Sequence, residues 1–253
     1  MAAPSHLLPE MVTRIAKPVL DFALPTRCPS CGVIVDGADR FCIDCWSQLE
    51  HLDQGCHQCG VPLATPAGDG VICGACLADP PPFDTMRAAV RYGDVERTIA
   101  LRLKYGGRIG LARLIAGSMQ RHMDELEHAP IVPVPLHRGR LWRRGFNQSA
   151  LIARALAGED RGRLHLNALE RTRATPYLRA MGAKERAKTV RGAFAVNPRH
   201  RDALDGKAVV LVDDVYTSGA TASACAKALK KAGAAEVHVR CWARVCTAEE
   251  ADY

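Results

Sequence analysis

The sequence predicts an α/β domain, a mainly parallel sheet with helices on both faces, preceded by a small zinc-ribbon domain. Three observations carry this reading. Beyond residue 82, short apolar β-branched runs alternate with helical segments. One of these runs, Val209–Val212, ends in Asp213-Asp214 and leads through Thr217-Ser218-Gly219-Ala220-Thr221 into a helix. Finally, eight of the 11 cysteines stand in four C-x-x-C pairs within the first third of the chain.

The cysteine pairs come first along the chain: Cys28/Cys31, Cys42/Cys45, Cys56/Cys59 and Cys73/Cys76, separated by 10, 10 and 13 residues. Each C-x-x-C turn presents two thiolates on one side of a tight knuckle, and two knuckles complete a tetrahedral zinc site. Pairing in order gives two structural zinc ions. A crossed arrangement, first pair with third and second with fourth, stays open at this point. Disulfides, a redox dithiol and iron–sulfur ligation are the rivals. The chain shows no secretory signal, a redox C-x-x-C normally stands singly, and the spacing differs from common ferredoxin runs. His51 and His57 lie among the knuckles as bystanders, and Cys225, Cys241 and Cys246 read as ordinary core thiols.

The segment Val19–Leu24 is short and interrupted by Asp21, so it predicts neither a signal core nor a membrane span. Residues 1–27 read instead as a lead-in helix, 28–78 as the double ribbon, 79–85 as a Pro-rich linker around Pro80-Pro81-Pro82, and 247–253 as a tail. A cytoplasmic location is expected.

Within residues 86–246 the pattern predicts strands at Ala88–Tyr92, Ile131–Pro135, Phe194–Val196, Ala208–Val212 and Glu236–Trp242. Helices are expected at Val95–Tyr105, Phe146–Ala157 and Ala220–Ala232, the last ending at Gly233. Arg171–Val190 has no clean period and contains Pro176 and Gly182, so it reads as a mobile loop.

The segment Val209–Thr221 has a chemical logic of its own. An apolar strand delivers Asp213 and Asp214 to its carboxyl end, where sheets of this kind bind ligands. Adjacent carboxylates can accept hydrogen bonds from two ribose hydroxyls and hold a hydrated Mg²⁺. Thr217 to Thr221 then offer successive backbone N–H groups and three hydroxyls at a helix start, a cradle for a phosphate dianion. Gly219 permits close approach of the main chain. The plain structural alternative is a strand that happens to end in two acids before a capped helix.

Net charge is +7, unevenly spread. From His137 to Arg201 there are 16 Lys and Arg against 4 acids, and from Cys28 to Cys76 one base against 6 acids. A polyanion would therefore meet the later part of the chain, and the ribbon is a structural or docking element rather than a nucleic-acid grip. A solvated Arg-rich surface is the bland alternative for many of these arginines.

These features together resemble the ComF family of competence-associated proteins and, within it, the type I phosphoribosyltransferase fold. The resemblance runs from Leu20 to about Ala243. It is carried by the C-x-x-C ribbon, Leu103-Lys104-Tyr105 with Arg108, Val132-Pro133-Val134-Pro135-Leu136-His137, Arg144-Gly145-Phe146-Asn147-Gln148, Val190-Arg191-Gly192-Ala193-Phe194, and the acidic pair with its loop. It implies binding of 5-phosphoribosyl-1-pyrophosphate (PRPP) with Mg²⁺. Asp213 and Asp214 would meet the ribose hydroxyls and metal, and Thr217, Ser218, Gly219, Ala220 and Thr221 the 5′-phosphate. Leu136 to Arg138, including His137, would form a pyrophosphate loop, with Lys104, Arg108, Arg143 and Arg144 offsetting the departing charge. Phe146-Asn147-Gln148 opens a helix, where capping and packing are the competing role. The chain departs from the family pattern at Thr175-Pro176-Tyr177-Leu178, where an amide is expected, and at Thr189, where Asn is expected.

The function implied is phosphoribosyl transfer to an unknown acceptor. Alternatives are a factor handling single-stranded DNA beside helicase and channel proteins, and a sensor that binds the sugar phosphate without turnover. A homodimer is left open.

Overall fold

The structure is a computed structural model and describes residues 25–37, 39–63, 70–175 and 182–246. Nearly all of the lead-in helix, the tail, and the Pro176-Tyr177-Leu178 part of the expected loop lie outside the described residues.

Two compact units divide between Gln48 and Leu49. The first holds helix α1 (Ile43–Ser47), whose N-cap is Cys42. A turn precedes it in which Cys28 N–H donates to Val33 O at 2.7 Å.

The second unit starts with helix α2 (Gly74–Ala78), then strand β1 (Thr85–Arg91) and helices α3 (Asp94–Tyr105) and α4 (Leu111–Met119). Strand β2 (Ile131–Pro133) is followed by α5 (Arg138–Arg144) and α6 (Gln148–Ala157). After β3 (Leu169–Arg171) come α7 (Ala183–Val190), β4 (Phe194–Val196) and α8 (Arg201–Leu204). The chain closes with β5 (Ala208–Tyr216), α9 (Ala220–Lys231) and β6 (Glu236–Arg244).

The main sheet has the order β1-β6-β5-β2 and every pairing in it is parallel, with Val210 opposite both Ile131 and His238. Its central strands are apolar on both faces because helices cover both: α4 and α6 pack on one side, α9 on the other. Val209, Leu211, Val237, Val239 and Cys241 share one core with Ala222, Cys225, Ala226 and Leu229 of α9. Cys225 and Cys241 are thus core thiols, as expected. The antiparallel pair β3–β4 forms a separate small sheet beside α9.

Several elements differ from the sequence reading. Helix α4 was not expected, although Leu111, Ala112, Ile115, Ala116 and Met119 make one buried face. Strand β3 was not expected either; at three residues it is too short to show a period. The segment read as a loop ends in α7, a helix whose polar composition hides its period. The helix expected from Phe146 starts at Gln148, because Asn147 caps it by accepting from Ser149 N–H at 3.1 Å.

Residues 50–60, which include Cys56 and Cys59 of the second cysteine cluster, cover the outer edge of β1. Leu52 N–H donates to Ala89 O at 3.1 Å, Arg91 N–H to Glu50 O at 2.8 Å, and Met86 N–H to Gln58 O at 2.7 Å. An edge strand's unpaired groups are thereby satisfied. Phe83 and Asp84, in the stretch expected to link two domains, belong to the larger unit: Phe83 is buried, and Asp84 N–H donates to Val237 O at 2.9 Å.

Candidate sugar-phosphate site and cysteine clusters

Strand β5 runs on past the apolar stretch, so Asp213 and Asp214 lie inside it rather than beyond its end. Alternation along the strand sends their side chains to opposite faces. Asp214 is buried at 4% exposure and forms an ion pair with Lys104 from α3. The Gln148 side-chain amide donates to Asp214 Oδ1 at 3.3 Å, and the Ser149 hydroxyl donates to Asp213 Oδ1 at 2.9 Å. Asp213 is half-buried and lines the recess beside the loop that follows, so its carboxylate can meet a hydroxyl or a hydrated cation.

The two carboxyls titrate as an unequal pair. Burial, reinforced by the neighbouring Asp214 charge, pushes Asp213 up to about 7. Burial works the same way on Asp214, but the Lys104 ammonium outweighs it and holds Asp214 below its ordinary 3.8. Lys104 is raised above 10.5 because Asp214 overcomes the burial that would lower it.

On one side of the pair lies the recess expected to cradle a phosphate, about 40 Å³ in volume and lined by Asp213, Thr217, Ser218, Gly219 and Thr221, and by Arg186 from α7. Gly219 is the N-cap of α9 with φ +71°, a left-handed conformation. A Cβ placed there would come 2.2 Å from the Tyr216 hydroxyl, so the close approach that requires glycine is to Tyr216.

On the other side Lys104, the partner of Asp214, lines a cleft of about 370 Å³ with Tyr105, Arg140, Arg143, Arg144 and Phe146. Arg144 donates to Gln148 Oε1 at 2.5 Å, and its guanidinium lies 5.1 Å from the Tyr105 ring centroid. His137 caps α5 by accepting from Gly139 N–H at 3.2 Å, and Arg138 is the first residue of that helix. Arg108 is exposed and is not among the residues lining this cleft.

Gln148, Ser149 and Arg186 were not among the expected site residues. The run Gly145-Phe146-Asn147-Gln148 pointed near the first two, but only the pairing of α6 with β5 aims them at the acids. The basic block resolves into several roles. Arg140 donates to Thr175 O at 2.7 Å, Arg161 to Arg154 O at 2.7 Å, and Arg173 to Arg191 O at 2.9 Å, while Arg171 lies over the Phe194 ring. Arg140, Arg161 and Arg173 thus hold main chain together, a role that neither a polyanion grip nor a solvated surface describes.

The eight ribbon cysteines form two groups, Cys28/Cys31/Cys42/Cys45 and Cys56/Cys59/Cys73/Cys76, with the four sulfurs of each within 4.8 Å of one another. Pairing is therefore sequential, and the crossed arrangement is ruled out. A tetrahedral zinc–thiolate site has sulfurs about 3.8 Å apart; Cys59 and Cys73 Sγ stand at 3.8 Å, Cys31 and Cys42 at 3.6 Å. Backbone donors on the sulfurs fit as well: Cys73 N–H donates to Cys56 Sγ at 3.2 Å. Neither His51 nor His57 belongs to a group.

Comparison with known proteins agrees with both halves. Residues 19–77 match the double zinc ribbon domain family, and residues 174–253 the phosphoribosyl transferase domain family. The chain is 34% identical to the DNA utilization protein YhgH of Escherichia coli (strain K12) over 199 residues, 75% of this chain and 83% of that one. Competence protein F of Haemophilus influenzae is 30% identical over 223 residues, covering 84% and 94%. Competence protein ComFC of Bacillus subtilis (strain 168) is 26% identical over 210 residues, covering 78% and 80%. Among the described residues no helix is long and apolar enough to cross a membrane.

Proposed function

The chain belongs to the ComF family of double-zinc-ribbon proteins with a phosphoribosyltransferase domain, and from that premise we propose that it binds PRPP with Mg²⁺ and transfers the phosphoribosyl group. One observation carries the reading: Asp213 lines the recess at Thr217–Thr221, while Asp214 pairs with Lys104, which lines a cationic cleft. PRPP has that pattern, a ribose between two phosphorylated ends.

In this reading Thr217–Thr221 and Arg186 hold the 5′-phosphate, Asp213 and Asp214 the ribose hydroxyls, and Lys104, Arg143 and Arg144 the pyrophosphate. His137 and Arg138 present the start of α5 to the same end. Asp213 and Asp214 would hold Mg²⁺, which would supply positive charge between the acids and the ligand's anionic ends. An acceptor's lone pair forms the new bond to C1 as the C1–O bond breaks. Its electrons leave with pyrophosphate, and the acceptor's proton passes to water. The protein's contribution is positioning and charge stabilisation, which need no side-chain nucleophile.

Calorimetric titration with PRPP and Mg²⁺, followed by a screen for pyrophosphate release, tests both parts. No heat at millimolar ligand would remove the reading. Heat without release under any acceptor would leave a sensor.

A second reading is supported by the names of the relatives and by α5. Trp142 is 88% exposed there, beside exposed Arg138 and Arg143. An exposed indole with neighbouring cations suits base stacking and backbone contact with single-stranded DNA. Its test is salt dependence of single-strand affinity, with Trp142→Ala and Arg143→Ala each weakening it.

A further inference from the structure

We infer that the second cysteine cluster holds the phosphate loop in shape through Arg244 and Tyr216, which makes Arg244 a positioning residue for the sugar-phosphate site. The inference rests on reading Thr217–Thr221 as that site.

Arg244 ends β6 and is 3% exposed. A buried guanidinium must find acceptors within the protein. Its Nη1 donates to the main-chain carbonyl of Cys59 at 2.7 Å, inside the knuckle itself. The same guanidinium lies over the Tyr216 ring, 5.0 Å from its centroid. Phe83 meets that ring edge-on with centroids 6.3 Å apart, and Val245 N–H donates to Tyr216 O at 2.9 Å. Tyr216 is thus fixed from three directions, and its hydroxyl fills the space beside the left-handed Gly219 at the head of α9. A continuous series of contacts links Cys59 through Arg244 and Tyr216 to Gly219 in the middle of the cradle.

The Cys59 carbonyl is placed by its knuckle: Cys59 N–H points to Cys56 Sγ at 3.5 Å, and Gly60 N–H donates to Cys56 O at 2.8 Å. Four thiolates joined through one zinc ion keep that turn closed. Without the ion the turn keeps main-chain bonds such as Cys56 N–H to Val61 O and Met86 N–H to Gln58 O but loses the cross-link that fixes Cys59, so the acceptor of Arg244 is held less firmly. The first cluster belongs to the other compact unit, so its loss serves as the control.

The experiment is amide hydrogen exchange at Ser223 and Val245, without ligand, paired with titration by PRPP and Mg²⁺. Their N–H groups donate to Gly219 O at 2.8 Å and to Tyr216 O at 2.9 Å, so they report whether Tyr216 and the head of α9 keep their places. Zinc-loaded wild type is compared with Cys76→Ser, which opens the second cluster, and Cys31→Ser, which opens the first. Cys76→Ser is expected to speed exchange at both amides about tenfold while residues 209–212 of β5 stay protected, and to weaken the ligand about tenfold. Cys31→Ser should change neither. If Cys76→Ser does not fold, Arg244→Met decides. It keeps two equivalents of zinc and the buried volume but has no donor, so exchange at both amides should rise, and Arg244→Lys should restore part of the protection. Wild-type exchange at Ser223 and Val245 in folded Cys76→Ser, or in Arg244→Met, overturns the inference. Failure of wild type to bind PRPP sinks the ligand reading alone, because the exchange comparison uses no ligand.

Discussion

Gln148 donates to Asp214 Oδ1 at 3.3 Å while its own carbonyl oxygen accepts from Arg144 at 2.5 Å, so one buried amide ties the acidic pair to the cationic cleft. Replacing Gln148 by Leu removes both bonds and leaves Arg144 free to turn from the cleft. We expect PRPP affinity to fall about tenfold, corresponding to ~1.4 kcal/mol for a hydrogen bond to a charged group. Gln148→Glu should behave differently: a third carboxylate beside Asp213 and Asp214 raises their proton affinity, and binding recovers only as pH rises. Calorimetry between pH 6.5 and 8.5 separates the two variants.

The two aspartates are not equivalent probes. Asp214→Ala leaves Lys104 and Gln148 buried without their acceptor, and breaking a buried ion pair costs about 3 kcal/mol. A fall in Tm should therefore accompany lost binding, so this variant does not leave the fold undisturbed. Asp213→Ala should abolish PRPP binding with little loss of Tm. Differential scanning fluorimetry of both variants, with and without ligand, makes the comparison.

Asp213→Asn should stabilise the ligand-free protein, more at high pH. The folded pKa is about 7, above the ordinary 3.8, so the native state holds the proton more tightly than the unfolded chain. That proton linkage favours the fold below the unfolded value and is lost as pH rises toward 7. Relative to wild type, the gain from Asn should grow by ~2 kcal/mol between pH 5 and pH 8. Denaturant unfolding at the two pH values measures it. Equal gains at both would mean that Asp213 titrates normally.

Gly219→Val should abolish PRPP binding and lower stability. Its Cβ would collide with the Tyr216 hydroxyl, and φ +71° penalises a β-branched residue by at least ~1 kcal/mol. Tyr216→Phe in the same chain removes the clashing oxygen and should recover part of the stability, though not the binding. Thermal melts of the single and double variants check the coupling.

Elemental analysis of protein purified without oxygen should give two zinc ions per chain, without visible iron–sulfur absorption. A stoichiometry near one would retire one cluster. Chelation that removes one ion at a time should leave Cys28/Cys31/Cys42/Cys45 and Cys56/Cys59/Cys73/Cys76 distinguishable, because the second is tied to β1 through Gln58 O, which accepts from Met86 N–H.

The sequence by itself determined the parts whose chemistry is local. A C-x-x-C knuckle, an apolar strand, and an acid pair leading to a Thr-Ser-Gly turn each act through neighbours within a few residues, so composition and spacing display them. It also placed β2, β5, β6, α3 and α9 to within a few residues, since each shows a clear period or run. Only the tertiary structure decided which cysteine pairs join, because both pairings satisfy the same spacing. Gln148, Ser149 and Lys104 reach the aspartates from helices 64 to 110 positions away in the chain, and no local signal records that convergence. The same holds for the basic block: an arginine in a sequence is only a charge. Whether it meets solvent, a ligand or, as Arg140 and Arg173 do, a carbonyl of its own chain depends on what the fold brings beside it.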